Sequence, residues 1–254
     1  MTKILAISNQ KGGVGKTTTA VNLSAALGMK GKKVLLVDLD PQGNATSSSG
    51  LEKNKMKQTV YDLLINDLDV TEVICKGKLY DVMPANQNLA AAELEMINIK
   101  NREALLKNKL HQKNKYDYIL LDCPPSLGLI TLNGLTAAHS VLIPMQCEYF
   151  ALEGLTDLVN TIKKVKHFMN TDIQIEGLLR TIYDGRNTLT KEVSAQLSAY
   201  FPNKVYKTIV PRNVRIAEAP SHGLSAIQFD KRSKGAKAYL ELANEIILKE
   251  KNND

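Results

Sequence analysis

The chain has no tryptophan, four phenylalanines among its 254 residues, and three cysteines. Cys75, Cys123 and Cys147 are an odd, scattered set without Cys-x-x-Cys spacing, which offers no disulfide framework and points to a reducing cytosolic setting. Cys123, beside Asp122, reads as a buried structural thiol. His111, His139, His167 and His222 show no metal-ligand spacing, and no Ser–His–Asp set can be assembled. His222, in a Pro-Ser-His-Gly turn, reads as turn-stabilising. No Pro/Ser linker, internal repeat or low-complexity stretch is present, so residues 1–254 read as one domain. There is no signal peptide, and no apolar run approaches membrane-spanning length.

What is present is phosphate chemistry. Residues 10–19 read Gln-Lys-Gly-Gly-Val-Gly-Lys-Thr-Thr-Thr. Glycines at 12, 13 and 15 let backbone N–H groups curl around phosphate oxygens with no Cβ in the way. Lys16 is placed to reach the terminal phosphates and the Thr17 hydroxyl to ligate Mg²⁺. The strict pattern wants glycine at position 10, where this chain has Gln10. Context outweighs that departure: Lys3–Ser8 reads as a strand before the loop and Thr17–Met29 as a helix after it. Lys11 is surplus. With Lys16 already serving the phosphates from inside, a second lysine suggests charge meant for a nucleotide held elsewhere, as in a facing subunit. Lys11, Gly12, Gly13, Val14, Gly15, Lys16, Thr17 and Thr18 are therefore the candidate nucleotide loop.

Two more strands end in carboxylates. Lys33–Asp40 carries Asp38 and Asp40, and Tyr116–Asp122 ends at Asp122 before Cys-Pro-Pro-Ser. Ligands of parallel α/β sheets gather at the carboxyl ends of strands, which would bring these groups and the loop around one Mg·ATP. Further strands are expected at Leu79–Met83, Ser140–Met145, Ile173–Thr181 and Val205–Ile209. Helices are expected near Val60–Asn66, Asn101–Gln112, Leu127–Ala138, Gly154–Met169, Leu189–Tyr200 and Lys234–Lys249. This alternation predicts an α/β fold: a doubly wound, mostly parallel sheet with helices on both faces.

The formal charge is +7. Eleven basic and four acidic residues between Arg180 and Lys237 carry all of that surplus. Such a region is the footprint of a phosphate-backbone binder, and without a zinc finger or recognition helix its binding should be sequence-independent and salt-sensitive.

Several motifs follow in one order: the Lys11–Thr19 loop, Val37-Asp-Leu-Asp-Pro-Gln-Gly-Asn, Asp122-Cys-Pro-Pro-Ser, Gln146-Cys-Glu-Tyr-Phe-Ala-Leu-Glu-Gly, and Val210-Pro-Arg-Asn-Val-Arg-Ile-Ala-Glu-Ala-Pro-Ser-His-Gly. Together they closely resemble the ParA/Soj chromosome-partitioning ATPases, of the deviant Walker A class that also holds MinD. The resemblance runs from Met1 to about Leu248. It implies a slow, partner-stimulated ATPase using ATP and Mg²⁺. Lys11 would cross a dimer interface to the partner's phosphates, and Asp40 would position the attacking water. Thr17, Asp38 and Asp122 would lie at the metal, and Pro211 and Asn213 against adenine. It further implies a homodimer with ATP, non-specific double-stranded DNA as ligand through Arg186, Arg212, Arg215, Lys231 and Arg232, and a ParB/Spo0J-type centromere-binding partner. The expected location is cytoplasmic and nucleoid-associated. The loop begins about ten residues in, which leaves no room for an N-terminal helix-turn-helix domain before it.

The runner-up is a MinD-like membrane-associated ATPase. It would need a basic, bulky-apolar terminal helix, whereas Ala238–Lys249 is followed by a polar end of mixed charge. An iron–sulfur reductase would need paired cluster cysteines that Cys123 and Cys147 do not supply. A small-molecule kinase would use the same loop and metal ligand and is set aside by the resemblance alone.

Overall fold

The computed structural model describes residues 2–110 and 115–251. Seven strands form one sheet: β1 (Lys3–Ile7), β2 (Val34–Asp38), β3 (Asp81–Met83), β4 (Tyr118–Asp122), β5 (Ser140–Met145), β6 (Gln174–Tyr183) and β7 (Val205–Pro211). Their order is β3-β2-β4-β1-β5-β6-β7, and every pairing is parallel. The central strands are continuous runs of Val, Ile and Leu because both of their faces are covered. Alternate residues divide between two cores: Ile4 and Ala6 join one, Leu5 and Ile7 the other.

Twelve α-helices fall among the described residues. They are α1 (Lys16–Met29), α2 (Asn44–Ser48), α3 (Val60–Ile65), α4 (Val70–Val73), α5 (Leu89–Glu95), α6 (Leu105–Leu110), α7 (Leu129–Ala137), α8 (Ala151–Phe168), α9 (Thr188–Tyr200), α10 (Val214–Glu218), α11 (Ala226–Phe229) and α12 (Lys234–Lys251). Helices α1 and α12 cover one face, where Leu23, Leu27, Tyr239, Leu242 and Ile246 are buried together. Helices α3, α5, α6, α7, α8 and α9 cover the other. The doubly wound architecture is therefore as expected.

Several boundaries differ. The strand expected at Lys33–Asp40 stops at Asp38, because Leu39 leaves the ladder while still donating its N–H to the Asp122 carbonyl (3.0 Å). The helix expected at Asn101–Gln112 is broken. Asn101 is left-handed (φ 56°), a 3₁₀ turn covers Arg102–Ala104, and α6 follows; His111 and Gln112 lie outside the described residues. Helix α8 starts at Ala151, ahead of the expected Gly154, and β6 runs on to Tyr183. Helices α2, α4, α5, α10 and α11 were not anticipated; at four to seven residues they are too short for a periodicity to show.

Helix α12 buries Ala236, Tyr239, Leu242, Ala243 and Ile246 against the core, which is why its amphipathic pattern belongs to packing. Among the described residues no helix is long and apolar enough to cross a membrane.

Candidate functional site

The register of the central strands assembles the site. Asp122 closes β4 opposite Ile7 of β1 on one side and Asp38 of β2 on the other. The phosphate loop leaves β1 at that same edge. Gly13 (φ 74°) and Gly15 (φ 85°) are left-handed, a conformation that a residue with a Cβ adopts only under strain. Gly15 caps α1 with no side-chain hydrogen bond, so the first N–H groups of the helix stay open to an anion. Nothing lies within 4 Å of where a Cβ on Gly12 or Gly13 would sit, and that space forms part of a cavity of about 540 Å³.

Gly12, Gly13, Gly15, Lys16, Thr17 and Thr18 line one end of this cavity, with Asp40 beside them. Pro211 and Asn213 line it too, with Ile216 and Pro220, and Asn213 caps α10 through the Ile216 N–H (3.3 Å). The volume suits a nucleotide-sized ligand. The Lys16 ammonium donates to the Lys11 carbonyl (3.0 Å), and burial lowers its pKa against the pull of Asp122 and Asp40.

The two buried carboxylates are not alike. Asp38 is fully bonded: Oδ2 accepts from the Thr46 N–H (2.8 Å) and hydroxyl (2.7 Å), and Oδ1 from the Asp40 N–H (3.1 Å). Burial nonetheless pushes its pKa up to about 6. Asp122 is buried with neither oxygen in a hydrogen bond of ordinary geometry. Burial first, then the Asp38 charge, raises its pKa well above the usual carboxylate range, while Thr17 and Lys16 oppose the shift. A buried, unpaired carboxylate costs free energy that a bound cation would recover. Asp122 and Thr17 therefore fit a magnesium ion, which they would help to hold. No cage of three His, Cys, Asp or Glu residues exists among the described residues, as that mode of binding requires none.

Asp40 begins the loop after β2, and its Oδ1 accepts the Gln42 N–H (2.9 Å). Lys11 is exposed and pairs with Glu148 (Nζ to Oε2, 2.5 Å), outside the set of cavity-lining side chains. Val14 is buried, and its carbonyl accepts the Thr181 hydroxyl (2.7 Å). Gln146 donates to the Gly13 carbonyl (3.0 Å).

Thr181, Ile182, Gln146 and Glu148 escaped the sequence reading. Gln146 and Glu148 sit within a quoted motif, so their signal was present without an assigned role. Thr181 lies in a hydrophobic strand and had none. Ile182 lines the cavity at φ 49°, where the β6–β7 register shifts, an uncommon conformation for a β-branched residue.

Of the basic residues, Arg212 lines the cavity, while Arg186, Arg215, Lys231 and Arg232 are exposed. Arg186 grips Asp184 with two nitrogens (2.9 and 2.7 Å), and Arg215 pairs with Glu218 (2.8 Å). Cys123 is buried, and burial drives its thiol pKa upward, in keeping with a structural role. His222 stacks on Phe229 (4.9 Å between centroids).

A family model described as an AAA domain matches residues 2–175. The sporulation initiation inhibitor protein Soj of Bacillus subtilis is 55% identical over 249 residues, covering 97% of this chain and 98% of that protein. The chromosome-partitioning ATPase Soj of Treponema pallidum is 49% identical, with 98% and 99% covered. Among solved structures, the cobyrinic acid a,c-diamide synthase of Mycobacterium smegmatis with bound ADP and magnesium is 38% identical. Its TM-score is 0.89, with 100% of this chain and 97% of that chain covered. The cell division ATPase MinD of Pyrococcus furiosus is 28% identical, with a TM-score of 0.80 and coverage of 97% and 98%.

A parallel sheet whose first strand feeds a glycine-capped phosphate loop defines a P-loop nucleoside triphosphatase fold. Within that class, the chain belongs to the Soj/ParA family of chromosome-partitioning ATPases.

Proposed function

We propose that this chain is a cytosolic ATP-driven DNA-segregation switch. With Mg²⁺ and ATP bound, two copies close face to face and hold duplex DNA without sequence preference. Hydrolysis, stimulated by a ParB/Spo0J-type protein at a centromere-like site, opens the pair and releases the DNA.

The observation that carries this reading is the division between the two loop lysines. Lys16 points inward, buried near Asp122 and Asp40, whereas Lys11 stands at the rim on an exposed pairing with Glu148. An exposed ion pair is worth about 0–1 kcal/mol, so Lys11 is cheaply released to another anion. A facing subunit's triphosphate offers a stronger one, and cationic charge supplied in trans is an established means of accelerating phosphoryl transfer.

The remaining roles are assigned on the same reading. The loop N–H groups and Lys16 hold the phosphates. Thr17 and Asp122 hold Mg²⁺, which when bound neutralises phosphate charge. Asp40 is fixed through one carboxylate oxygen, which leaves the other to orient water. Pro211 and Asn213 hold the base. Arg186, Arg212, Arg215, Lys231 and Arg232 contact DNA phosphates, with Arg186 and Arg215 exchanging intramolecular carboxylates for them.

Asp40→Ala tests the switch. It should keep ATP binding and dimerisation, stop turnover and accumulate DNA-bound dimer, read by light scattering and DNA co-sedimentation. A monomeric Asp40→Ala protein in ATP and Mg²⁺ would refute the assignment.

A further inference from the structure

The nucleotide cavity lies at the carboxyl ends of the strands. At the opposite ends, the fold gathers charge that linear composition hides. A groove of about 710 Å³ is lined by Lys32, Lys33, Lys76, Lys78 and Lys115 against one carboxylate, Asp81. These lysines come from three separate stretches: the turn between α1 and β2, the loop before β3, and the segment leading into β4. Outside Arg180–Lys237 the chain has no net charge, so nothing in the sequence marked this site.

The groove is rigidly built. A Cβ on Gly28 would lie 2.0 Å from the Leu79 carbonyl oxygen, and one on Gly77 would lie 2.1 Å from that of Tyr80. The Lys76–Lys78 loop is thus packed tightly onto the end of α1 and folded closely on itself. Cys75 and Val82 bridge the same loop through two backbone hydrogen bonds (2.7 and 2.9 Å).

Its polar groups are mostly spent. Lys76 (2.6 Å) and the Tyr116 hydroxyl (2.7 Å) both bind Asp81, and the Tyr80 hydroxyl meets Ser49 (3.0 Å). Lys76 also lies over the Tyr116 ring (5.8 Å). Both tyrosine hydroxyls of the groove are thus engaged within the protein. What remains is ammonium charge on Lys32, Lys33, Lys78 and Lys115. Like charges gathered in a concave groove raise the local potential and favour a repeating anion over a shaped one. Closure of two subunits through the Lys11 rim would leave this pole exposed.

We propose that this groove is a second DNA contact, engaging the phosphate backbone at the pole opposite the nucleotide. It rests on the DNA-segregation reading and extends it to a surface outside the Arg180–Lys237 region. Each lysine that neutralises a phosphate adds about 0.9 to the slope of log affinity against log salt.

The test compares wild type, Lys32→Ala/Lys33→Ala/Lys78→Ala, the matching triple Lys→Arg variant, and Arg215→Glu, all full-length with ATP and Mg²⁺. Duplex DNA binding is titrated over a range of salt. The triple alanine variant should lower the salt slope by about 2–3 with nucleotide affinity and ATP-dependent dimerisation unchanged, and the arginine variant should keep the wild-type slope. If the alanine variant keeps the wild-type slope while Arg215→Glu reduces it, the groove is not a DNA contact and the segregation reading stands. If wild type binds no DNA in any nucleotide state, both fall. Flotation with phosphatidylglycerol vesicles is run in parallel, and lysine-dependent capture by vesicles without any effect on DNA binding also overturns the proposal.

Discussion

Replacing Asp122 with asparagine should stabilise the nucleotide-free protein while abolishing its response to magnesium. Asp122 is buried, lacks a hydrogen bond of ordinary geometry and lies opposite a second carboxylate, Asp38. Its folded-state pKa is raised above the ordinary 3.8, so the ionised form is disfavoured on folding. The carboxyl can always escape by taking a proton, which caps the penalty at pH 7 at about 4 kcal/mol. An asparagine amide has no charge to desolvate and leaves polar atoms unpaired much as the protonated carboxyl does, so the gain lies between zero and that cap, about 2 kcal/mol. For a chain of this size that is about 4–8 °C in melting temperature, measured by scanning calorimetry in EDTA at pH 7.5. The sign with pH is fixed. A carboxyl with a raised folded pKa is least costly below its unfolded value, so its penalty appears as pH rises. The advantage of Asp122→Asn should therefore shrink toward zero as pH falls to about 4. With ATP present, Mg²⁺ should raise the melting temperature of wild type and leave the variant unmoved. A variant no more stable than wild type at pH 7.5 without nucleotide would show that Asp122 is not a destabilised ligand waiting for a cation.

Three further perturbations separate local roles. Thr181→Val removes the hydroxyl that donates to the Val14 carbonyl (2.7 Å) and should cost about 1–3 kcal/mol in urea unfolding together with weaker nucleotide binding, whereas Thr181→Ser should behave like wild type. Glu148→Gln removes the charged partner of Lys11; because both side chains are exposed, stability should change by less than about 0.5 kcal/mol, while light scattering should find ATP-dependent dimerisation at lower protein concentration. Gly28→Ala runs against helix propensity: alanine favours a helix interior by about 1 kcal/mol, yet its Cβ would meet the Leu79 carbonyl at 2.0 Å. A loss of about 3 kcal/mol or more, or no soluble protein, is expected in a chemical melt.

The fold was legible where the sequence repeats a strong local rule. Buried strands at Lys3–Ile7 and Tyr118–Asp122 are largely apolar runs, and α1 follows a glycine-rich turn. The phosphate loop, Asp40 and Asp122 stood out as candidates because the proposed chemistry demands fixed residue types at strand ends, and the fold brings them to one edge of the sheet. Interactions that link distant segments were not legible. Thr181 reaches Val14 across 167 positions, and Gln146 reaches Gly13 across 133. The lysine groove likewise exists only once three loops have been folded to one end of the sheet. Short helices such as α2 and α10 are set by tertiary contacts and offer too few residues for a pattern.

The sequence reading put Asp38 and Asp122 alike at the metal, and the structure gives them different surroundings. Asp38 fixes the start of the Asp40 loop through the Asp40 N–H and pins Thr46, whose hydroxyl oxygen in turn accepts the Ala85 N–H just beyond β3 (2.9 Å). Its oxygens are committed to holding that loop against the sheet. Asp122, one strand over, has neither oxygen in a hydrogen bond of ordinary geometry, and burial raises its pKa well above the usual carboxylate range. A cation arriving at Asp122 would relieve it and, through the Coulombic coupling between the pair, ease Asp38 as well. On the proposed reading, the loop bearing Asp40 would then be held most firmly when metal and nucleotide are in place, which would tie the geometry of hydrolysis to occupancy without any large movement of the sheet.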